Sequence, residues 1–559
     1  MIISVRHVRP ASIHRRRRFS LDMDSLTASR LAQTIGLPTA TFWQLIADPM
    51  PAILLSTLNA RYFHSALGLR YLFANLGELQ ADAAIREFII TQRPLDIAEA
   101  LLAEQPRIVG FGVYVWNVLE TTQVVALLKR VRPGLIIVLG GPEVSYEWEE
   151  QSIVKLADYL ITGPADLAFP HLCRQLLNDD TPAERIIAAG PFSLDRLTLP
   201  YRYYTDEDIA RRLTYVEASR GCPFRCEFCL SALDKTAWPF PLEPFLAELQ
   251  RLHDRGARHF KFVDRTFNLN AGVGARILDF FLERLDGRLF LHFELIPDHL
   301  PQPLKERIIR FPAGTLQFEV GVQTFNPAVQ ALIGRQQDNR KTEENLTWLR
   351  RHTQAHLHAD LIVGLPGEAL ASFAAGFNRL VAIDLQEIQV GMLKRLRGAP
   401  IDRHTAAFGL RYNPHPPYNL LCSDLLDFAT LRRLERFARY WDLIGNSGRF
   451  RQTRPLLLGD DPFGRFLKFS DWLYAATGQT HQFALERLFG GLYRGLIEAL
   501  GVTEQPKARE ALAADYQASG AKGCPAFLRV GQSELAGRKE LGPSKVAAAR
   551  QARHRSADA

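Results

Sequence analysis

Residues 217–231 decide the fold and contain the sequence Glu217-Ala-Ser-Arg-Gly-Cys-Pro-Phe-Arg-Cys-Glu-Phe-Cys-Leu-Ser231. The cysteines at 222, 226 and 229 have the spacing C-x3-C-x2-C, and they follow a strand candidate at Tyr215–Ala218. Three thiolates from one loop can ligate three irons of a cubane cluster, which usually has four cysteine ligands. The fourth iron is then open to bind a substrate or cofactor, so the loop predicts a reactive iron–sulfur site.

The remaining cysteines, Cys173, Cys422 and Cys524, lie far from the loop and from one another. Six cysteines distributed in this way are not a disulfide framework for a chain of 559 residues. They indicate a reducing compartment, and we expect a cytoplasmic protein. Structural zinc is the alternative for the loop, but zinc needs four ligands and the histidines downstream are too scattered to supply the fourth.

Downstream of the loop, strand and helix patterns alternate. Six such units predict a full or partial TIM-like barrel over residues 213–400, with function in the loops that follow the strands. The strand candidates are Tyr215–Ala218, His259–Val263, Phe290–Leu295, Leu316–Val320, His358–Val363 and Glu387–Gly391.

Upstream, residues 50–180 show a second alternating series. This α/β pattern predicts a flavodoxin- or Rossmann-like, doubly wound parallel sheet whose ligand lies beyond the carboxyl ends of the strands. The strand candidates are Ala52–Ser56, Glu87–Thr91, Ile108–Val113, Leu135–Leu139 and Tyr159–Thr162.

Other stretches complete the predicted domain organisation. Residues 181–212 form a proline-containing linker, and 401–503 form a mostly helical C-terminal domain with apolar residues at 3.6-residue spacing. The net charge of +8 resides in a basic N-terminal extension, 1–49, and a basic flexible tail, 504–559, whereas the middle is neutral. We therefore do not expect nucleic acid as a partner, and no apolar run reaches the ~20 residues that span a bilayer.

The cysteine loop resembles the signature of the radical S-adenosylmethionine (SAM) superfamily, C-x3-C-x-Φ-C, in which Φ is aromatic and here is Phe228. The resemblance implies a [4Fe–4S] cluster on the three cysteines, with SAM on the fourth iron. Reduction of the cluster, by a low-potential donor such as flavodoxin or ferredoxin, cleaves SAM to a 5′-deoxyadenosyl radical. In the superfamily that radical removes a hydrogen atom from the substrate, and we expect a small-molecule substrate here.

Three further segments resemble parts of the family that surround SAM. They are Phe262–Asn268 after the second barrel strand, Glu319–Thr324 at the end of the fourth, and Asp360–Glu368 at the fifth. The SAM contacts that the resemblance implies are Phe228, Asp264, Asn268, Glu319, Gln323, Val363 and Leu365.

The N-terminal sheet resembles the cobalamin-binding domain of B12-dependent radical SAM proteins. The stretch Tyr62-Phe-His64-Ser-Ala-Leu67 departs from the motif D-x-H-x-x-G, because Tyr62 replaces the aspartate and Leu67 the glycine, so we do not expect His64 to be an axial ligand. The implied cobalamin contacts are Asn59, Arg61, His64, Tyr114, Trp116, Asn117, Gly140, Gly141 and Glu143.

The whole layout resembles a subgroup of B12-binding radical SAM proteins that carry a C-terminal DUF4080 domain. It implies a cobalamin-dependent radical SAM enzyme that transfers a methyl group to an unactivated carbon. One alternative is a radical SAM enzyme without cobalamin, for example one for RNA methylthiolation, although a second three-cysteine cluster is missing from the sequence. The other alternative is a non-catalytic sensor that binds the cluster or cobalamin.

Overall fold

The N-terminal sheet starts at the first dense apolar run after residue 50. The computed structural model describes residues 50–521, 523, 525–529 and 553, so the predicted extension at 1–49 and Cys524 lie outside the described residues. The strands of this sheet are β1 (Ile53–Asn59), β2 (Ala83–Ile89), β3 (Ile108–Gly112), β4 (Ile136–Gly140), β5 (Tyr159–Thr162) and β6 (Ile186–Ala188).

These strands pair in parallel in the order β2-β1-β3-β4-β5-β6. Every residue of β1 is buried, as expected for a parallel strand covered by helices on both faces. This confirms the predicted doubly wound sheet, and the order reverses between β1 and β3, where such sheets bind ligands. The connecting helices are α1 (Leu67–Ala74), α2 (Pro94–Ala103), α3 (Val118–Val131), α4 (Ser152–Leu156) and α5 (Ala168–Leu177).

The sixth strand lies in the stretch that the sequence predicts to be a linker, residues 181–212. β6 pairs with β5 and has only three residues, too few to give a recognisable pattern from sequence. The linker also contains α6 (Asp206–Arg211), which begins with a capping box formed by Thr205 and Asp208.

The strands of the second sheet are β7 (Thr214–Val216), which precedes the cysteine loop, and β10 (His259–Phe262), β11 (Phe290–Leu295), β12 (Leu316–Gln323), β13 (His356–Val363) and β14 (Glu387–Met392), which follow it. They pair in parallel in the order β14-β13-β12-β11-β10-β7. All six predicted barrel strands are present, and β7 and β14 are its two edges, so the sheet is a partial barrel. A two-stranded hairpin, β8 (Ser219–Arg220) and β9 (Trp238–Pro239), lies between β7 and β10 in the chain.

Helices cover the outer face of the partial barrel. Alternate strand residues such as Phe260, Phe293 and Phe318 are fully buried against these helices. Because successive residues of a strand point to opposite faces, the residues between them face the interior. The helices are α7 (Leu242–Asp254), α8 (Ala271–Leu282), α9 (Gln302–Ile308), α10 (Pro327–Leu332), α11 (Asn339–His352) and α12 (Leu370–Ile383).

The C-terminal part is mostly helical, but it extends beyond its predicted end at residue 503. Leu512 and Tyr516 of helix α17 (Gln505–Ala518) are buried, and the Tyr516 ring packs edge-on against Phe489 at 4.9 Å between centroids. The basic, alanine-rich composition of residues 504–559 therefore conceals α17 as a packed helix. The elements are β15 (Arg411–Tyr412), β16 (Leu420–Cys422), α13 (Phe428–Leu443), α14 (Arg454–Leu458), α15 (Pro462–Thr477), α16 (Leu485–Glu498), α17 (Gln505–Ala518) and α18 (Ala526–Arg529).

Candidate functional site

The three predicted cluster cysteines lie in the loop between β8 and β9. Gly221 begins this loop with a φ of +90°, and a Cβ there would lie 2.2 Å from the carbonyl oxygen of Thr236, so the position needs glycine. Cys226 is buried, and Cys222 and Cys229 are half-buried. All three line one cavity of about 250 Å³, which we call the cluster cavity.

Glu227, between the second and third cysteines, anchors the loop. Its backbone N–H donates to the Ile333 carbonyl at 3.0 Å, and its own carbonyl accepts from the N–H of Ile401 at 3.0 Å. Its buried carboxylate lies 2.8 Å from Nε2 of His404. The loop is thus joined to the segments that follow β12 and β14. The sequence analysis did not select Glu227, although its place between two cluster cysteines could have indicated a role in holding the loop.

Three of the predicted SAM residues line the cluster cavity, namely Phe228, Glu319 and Gln323. They come from the cysteine loop and from β12, so the fold brings together residues almost 100 positions apart. Charged side chains outside the predicted set share the wall: Arg265, Glu294, Asp298, Arg335 and Asp360.

Glu319 is held as a carboxylate by a hydrogen bond and by a lysine in the barrel interior. Its Oε2 lies 3.0 Å from Nε2 of His292 and 3.5 Å from Nζ of Lys261. Burial would raise the pKa of Glu319, but the His292 hydrogen bond and the Lys261 charge outweigh it and lower that pKa below its usual range. The carboxylate is therefore available to accept hydrogen bonds from a ligand in the cavity.

A second ion pair lies beside it. Nε2 of His358 is 3.1 Å from Oδ1 of Asp360, which lines the cluster cavity. Burial would lower the pKa of His358, but the contact with Asp360 and the charge of Glu387 outweigh burial and raise that pKa to about 9. The inner wall is therefore built of paired charges.

The other predicted SAM residues are placed elsewhere. The Asp264 carboxylate accepts from Ala218 N–H at 2.9 Å and Ser219 Oγ at 2.6 Å, and the Asn268 amide bonds to the backbone of Ile296. Both side chains hold loops beside the cavity without lining it. They act as positioning residues because their polar atoms already have protein partners.

Val363 and Leu365 also lie outside the cluster cavity wall. Val363 is fully buried and Leu365 is 2% exposed, and both belong to the hydrophobic core of the barrel. The apolar character of the fifth-strand segment thus serves packing at these two positions.

A larger cavity of about 710 Å³ opens beyond the carboxyl ends of β1, β3, β4 and β5 and faces the start of the barrel. We call it the sheet-edge cavity. Tyr114 and Trp116 stack there, with ring centroids 4.4 Å apart. Gly141 has a φ of +109°, and a Cβ there would lie 2.5 Å from the Val113 carbonyl oxygen. The predicted cobalamin residues in this wall are Asn59, His64, Tyr114, Trp116, Gly140 and Gly141.

Three predicted cobalamin residues do not line the sheet-edge cavity. Arg61 is exposed outside it. The Asn117 amide is buried and donates to Thr57 Oγ1 and to the Leu58 carbonyl. Glu143 accepts from the Tyr418 hydroxyl at 2.5 Å and pairs with Arg397 at 3.1 Å, so it joins the first sheet to later segments of the chain. Asn117 and Glu143 were selected for their position after a strand, but their polar atoms bond to residues far away in the chain.

The barrel supplies a wall of the sheet-edge cavity that the sequence did not predict. Arg220 pairs with both oxygens of Asp166 at 3.0 and 3.2 Å and with Glu217 at 2.7 Å. The Tyr215 hydroxyl lies 2.6 Å from Nδ1 of His64. Glu217 and Arg220 stand immediately before the cysteine loop, and this proximity was the signal that could have identified them.

Arg265 joins the two cavities. Within the described residues, it is the one residue that lines both the cluster cavity and the sheet-edge cavity. Its Nη1 lies 3.0 Å from both carboxylate oxygens of Glu294. The Arg265 side chain therefore borders both spaces.

The donor set of the cluster cavity fits an iron–sulfur cluster. Burial, and next the neighbouring thiols, raise the pKa of Cys222, so thiolates there need cations beside them. No group of three or more His, Cys, Asp or Glu side chains in the described part of the chain is arranged around one metal ion. A cubane needs no such convergence, because each thiolate binds its own iron. The glycines and stacked aromatic rings of the sheet-edge cavity likewise fit a large planar ligand.

Three family models match consecutive parts of the chain. The model of the B12 binding domain matches residues 54–173, and that of the radical SAM superfamily matches residues 216–379. The model of DUF4080, a protein family of unknown function, matches residues 406–542. This chain is a B12-binding radical SAM protein. The family confirms the predicted cofactor set of a [4Fe–4S] cluster, SAM and cobalamin.

Relatives and solved structures agree with this assignment. A 2-(S-pantetheinyl)-carbapenam-3-carboxylate methyltransferase of Streptantibioticus cattleyicolor is 24% identical in an alignment that covers 56% of this chain. The chain spans about half (51%) of the length of that relative. The radical SAM methyltransferase TsrM of Kitasatospora setae, with cobalamin and a [4Fe–4S] cluster bound, has a TM-score of 0.55 at 16% identity, covering 84% of this chain and 99% of its own. The cobalamin-dependent SAM radical enzyme OxsB, with aqua-cobalamin and SAM bound, has a TM-score of 0.58 at 13% identity, covering 86% and 85%. At such identities the two structures show the shared fold.

Proposed function

We propose that this B12-binding radical SAM protein is a methyltransferase that acts on an unactivated carbon of a small molecule. The observation that carries the proposal is the shared wall at Arg265, between a cavity lined by the three cysteines and a cavity at the edge of the first sheet. Methylation of an unactivated carbon would require one substrate carbon to be reached from both cofactor sites, because a hydrogen atom has to leave that carbon and a methyl group has to arrive at it, and holding reactants in place removes much of the barrier. The methyltransferases among the relatives support the reaction type.

When bound, the cluster supplies the electron that cleaves SAM and cobalamin carries the methyl group. The residues of the chain bind, orient and shield these groups. Cys222, Cys226 and Cys229 hold the cluster, and Nη1 of Arg335, 3.5 Å from the Cys226 sulfur, balances thiolate charge. Glu319 is the acceptor we assign to the ribose hydroxyls of SAM, because its carboxylate is ionised and lines the cavity.

The cobalamin contacts we propose are the six predicted residues that line the sheet-edge cavity. Tyr114 and Trp116 offer a flat apolar surface, and the glycines at 140 and 141 let a large ring approach the backbone. The ion pair of Arg220 with Asp166 joins this cavity to the cysteine loop, because Arg220 lies two residues before Cys222.

The partners we propose are a small-molecule substrate and a low-potential electron donor such as flavodoxin or ferredoxin. The cytoplasmic location also stays a prediction. No helix among the described residues combines the length and the apolar character needed to cross a bilayer.

The test is anaerobic reconstitution with iron, sulfide and hydroxocobalamin, removal of free ligand, and ultraviolet–visible spectroscopy, followed by a search for cleavage products of SAM. We expect a retained corrin band, cluster absorbance and 5′-deoxyadenosine. Cys226→Ala should abolish the cluster absorbance and the cleavage of SAM. Cys422→Ala is the matched control, because Cys422 lies in β16, outside both cavity walls, and should leave both signals intact.

Two results would contradict the proposal. Cluster absorbance without a retained corrin band would favour the cobalamin-free alternative. Both chromophores without reductive cleavage of SAM would favour the sensor.

A further inference from the structure

We propose that Arg265 binds an oxyanionic group of the substrate, a carboxylate or a phosphate, and so selects anionic substrates; this inference rests on the proposed function. The first observation is its place. Within the described residues, Arg265 alone lines both cavities, so a substrate that reaches both cofactors passes its side chain.

The second observation is the accessibility of the guanidinium. The Arg265 side chain is 53% exposed, whereas the side chain of its partner Glu294 is 20% exposed. Arg265 lies in the walls of both cavities, so its exposed side chain borders their spaces. The cation is accessible, whereas its counter-ion is mostly covered.

The third observation concerns its hydrogen-bond donors. Glu294 engages Nη1, with both oxygens at 3.0 Å, and no other residue in the described part of the chain accepts from Nε or Nη2 of Arg265. The edge formed by Nε and Nη2 therefore keeps two parallel N–H donors. This fork matches the two oxygens of a carboxylate or phosphate, and such charge-assisted pairs are about twice as strong as neutral hydrogen bonds.

The other arginines of the two walls lack such a fork. Arg220 uses Nε on Glu217 and both Nη atoms on Asp166. Arg335 uses Nε on Gln337, Nη1 on the Cys226 sulfur and Nη2 on the Gly321 carbonyl. An anion at the junction of the cavities thus has one guanidinium edge to bind, and that edge belongs to Arg265.

The test uses anaerobic protein loaded with cluster, hydroxocobalamin and SAM. Sodium acetate and sodium phosphate, titrated separately at constant ionic strength by calorimetry, are the carboxylate and phosphate probes. The wild-type protein should bind at least one probe saturably, and the stronger probe tells which oxyanion the site takes. Arg265→Gln should weaken that binding at least about tenfold, because a charged hydrogen-bond partner is lost. The probe affinity of Arg265→Lys, which keeps the charge without the fork, should lie between the affinities of the wild-type protein and Arg265→Gln.

Arg276→Gln is the matched control. Arg276 is 56% exposed and pairs with Glu243 at 2.7 Å, much as Arg265 pairs with Glu294, but it lies outside both cavities. Its substitution should leave probe binding unchanged.

Three outcomes would overturn the inference: no saturable binding of either probe by wild-type protein, equal binding by Arg265→Gln, or weaker binding by Arg276→Gln to the same extent. A fourth is a loss of SAM affinity in Arg265→Gln as large as the loss of probe affinity, which would assign Arg265 to the carboxylate of SAM itself.

The corrin spectrum and SAM cleavage of the wild-type preparation are measured first. If they are present, a negative titration contradicts the inference alone; if they are absent, the proposed function fails and the inference with it.

Discussion

The two parallel sheets of this protein keep their charged side chains in different places. Every residue of β1 in the first sheet is buried, and a charged cluster forms near the carboxyl end of β2 at Glu87. In the second sheet, Lys261, His292 and Glu319 are paired inside the partial barrel. A sheet covered by helices on both faces leaves its edge for a ligand, whereas a partial barrel also has an interior. The charged cluster at Glu87 lies outside the sheet-edge cavity, whereas Glu319 lines the cluster cavity.

The largest effect should come from the charged cluster at the edge of the first sheet. Glu87 accepts from Nη2 of Arg70 at 3.0 Å and from Nη1 of Arg212 at 2.8 Å, and the Arg70 side chain is 3% exposed. Glu87→Gln leaves buried cations undercompensated and should lower the free energy of unfolding by about 3–5 kcal/mol. Urea denaturation followed by tryptophan fluorescence measures this loss.

Glu104→Gln is the control for that substitution. Glu104 pairs with Arg86, whose side chain is 43% exposed, so its loss should cost less than about 1 kcal/mol. Equal losses in the two variants would show that the edge cluster does not stabilise the fold as a buried network.

A smaller effect is expected inside the partial barrel. Glu319→Gln keeps the shape but removes the charge that faces His292 and Lys261, and it should cost about 1.5–3 kcal/mol of unfolding free energy. It should also raise the Kd for SAM about tenfold, measured by equilibrium binding to reconstituted protein. Glu306→Gln, on the exposed surface of α9, should change neither quantity. Unchanged SAM affinity in Glu319→Gln would remove this residue from the SAM site.

The smallest effect is a dependence on pH from His358. Its pKa is raised from 6.5 to about 9, so its stabilising contribution is fully present below pH 6.5 and is lost as the pH rises through about 9. Between pH 7 and 10 the wild-type protein should lose about 1–2 kcal/mol more stability than His358→Gln. Denaturation at a series of pH values checks this, and identical slopes in the two proteins would contradict it.

The predicted strands and the cysteine loop were accessible from sequence because their signals are local. Gly141 could also be selected from its place at a strand end, and its φ of +109° is consistent with the close approach expected there. Asp264 and Glu143 also lie at strand ends and were selected as ligand contacts in the same way. In the structure, however, the Asp264 carboxylate accepts from Ser219 and the Glu143 carboxylate accepts from Tyr418. A polar residue after a strand can serve a ligand or a neighbouring segment, and the local pattern is the same in both cases.

Local patterns in the sequence pointed to the domains and cofactors of this protein. These patterns are the spacing of three cysteines, the alternation of two βα series and the glycines at strand ends, and each involves residues close together in the chain. The cavity walls depend on residues far apart: Asp166 pairs with Arg220, His64 with Tyr215, and Arg265 lies where two cavities meet. Such contacts form when residues from two different parts of the chain, 54 positions apart for Asp166 and Arg220 and 151 for His64 and Tyr215, come together in the fold. The fold class was therefore determined by local patterns, whereas the place at which a substrate meets both cofactors was decided by tertiary packing.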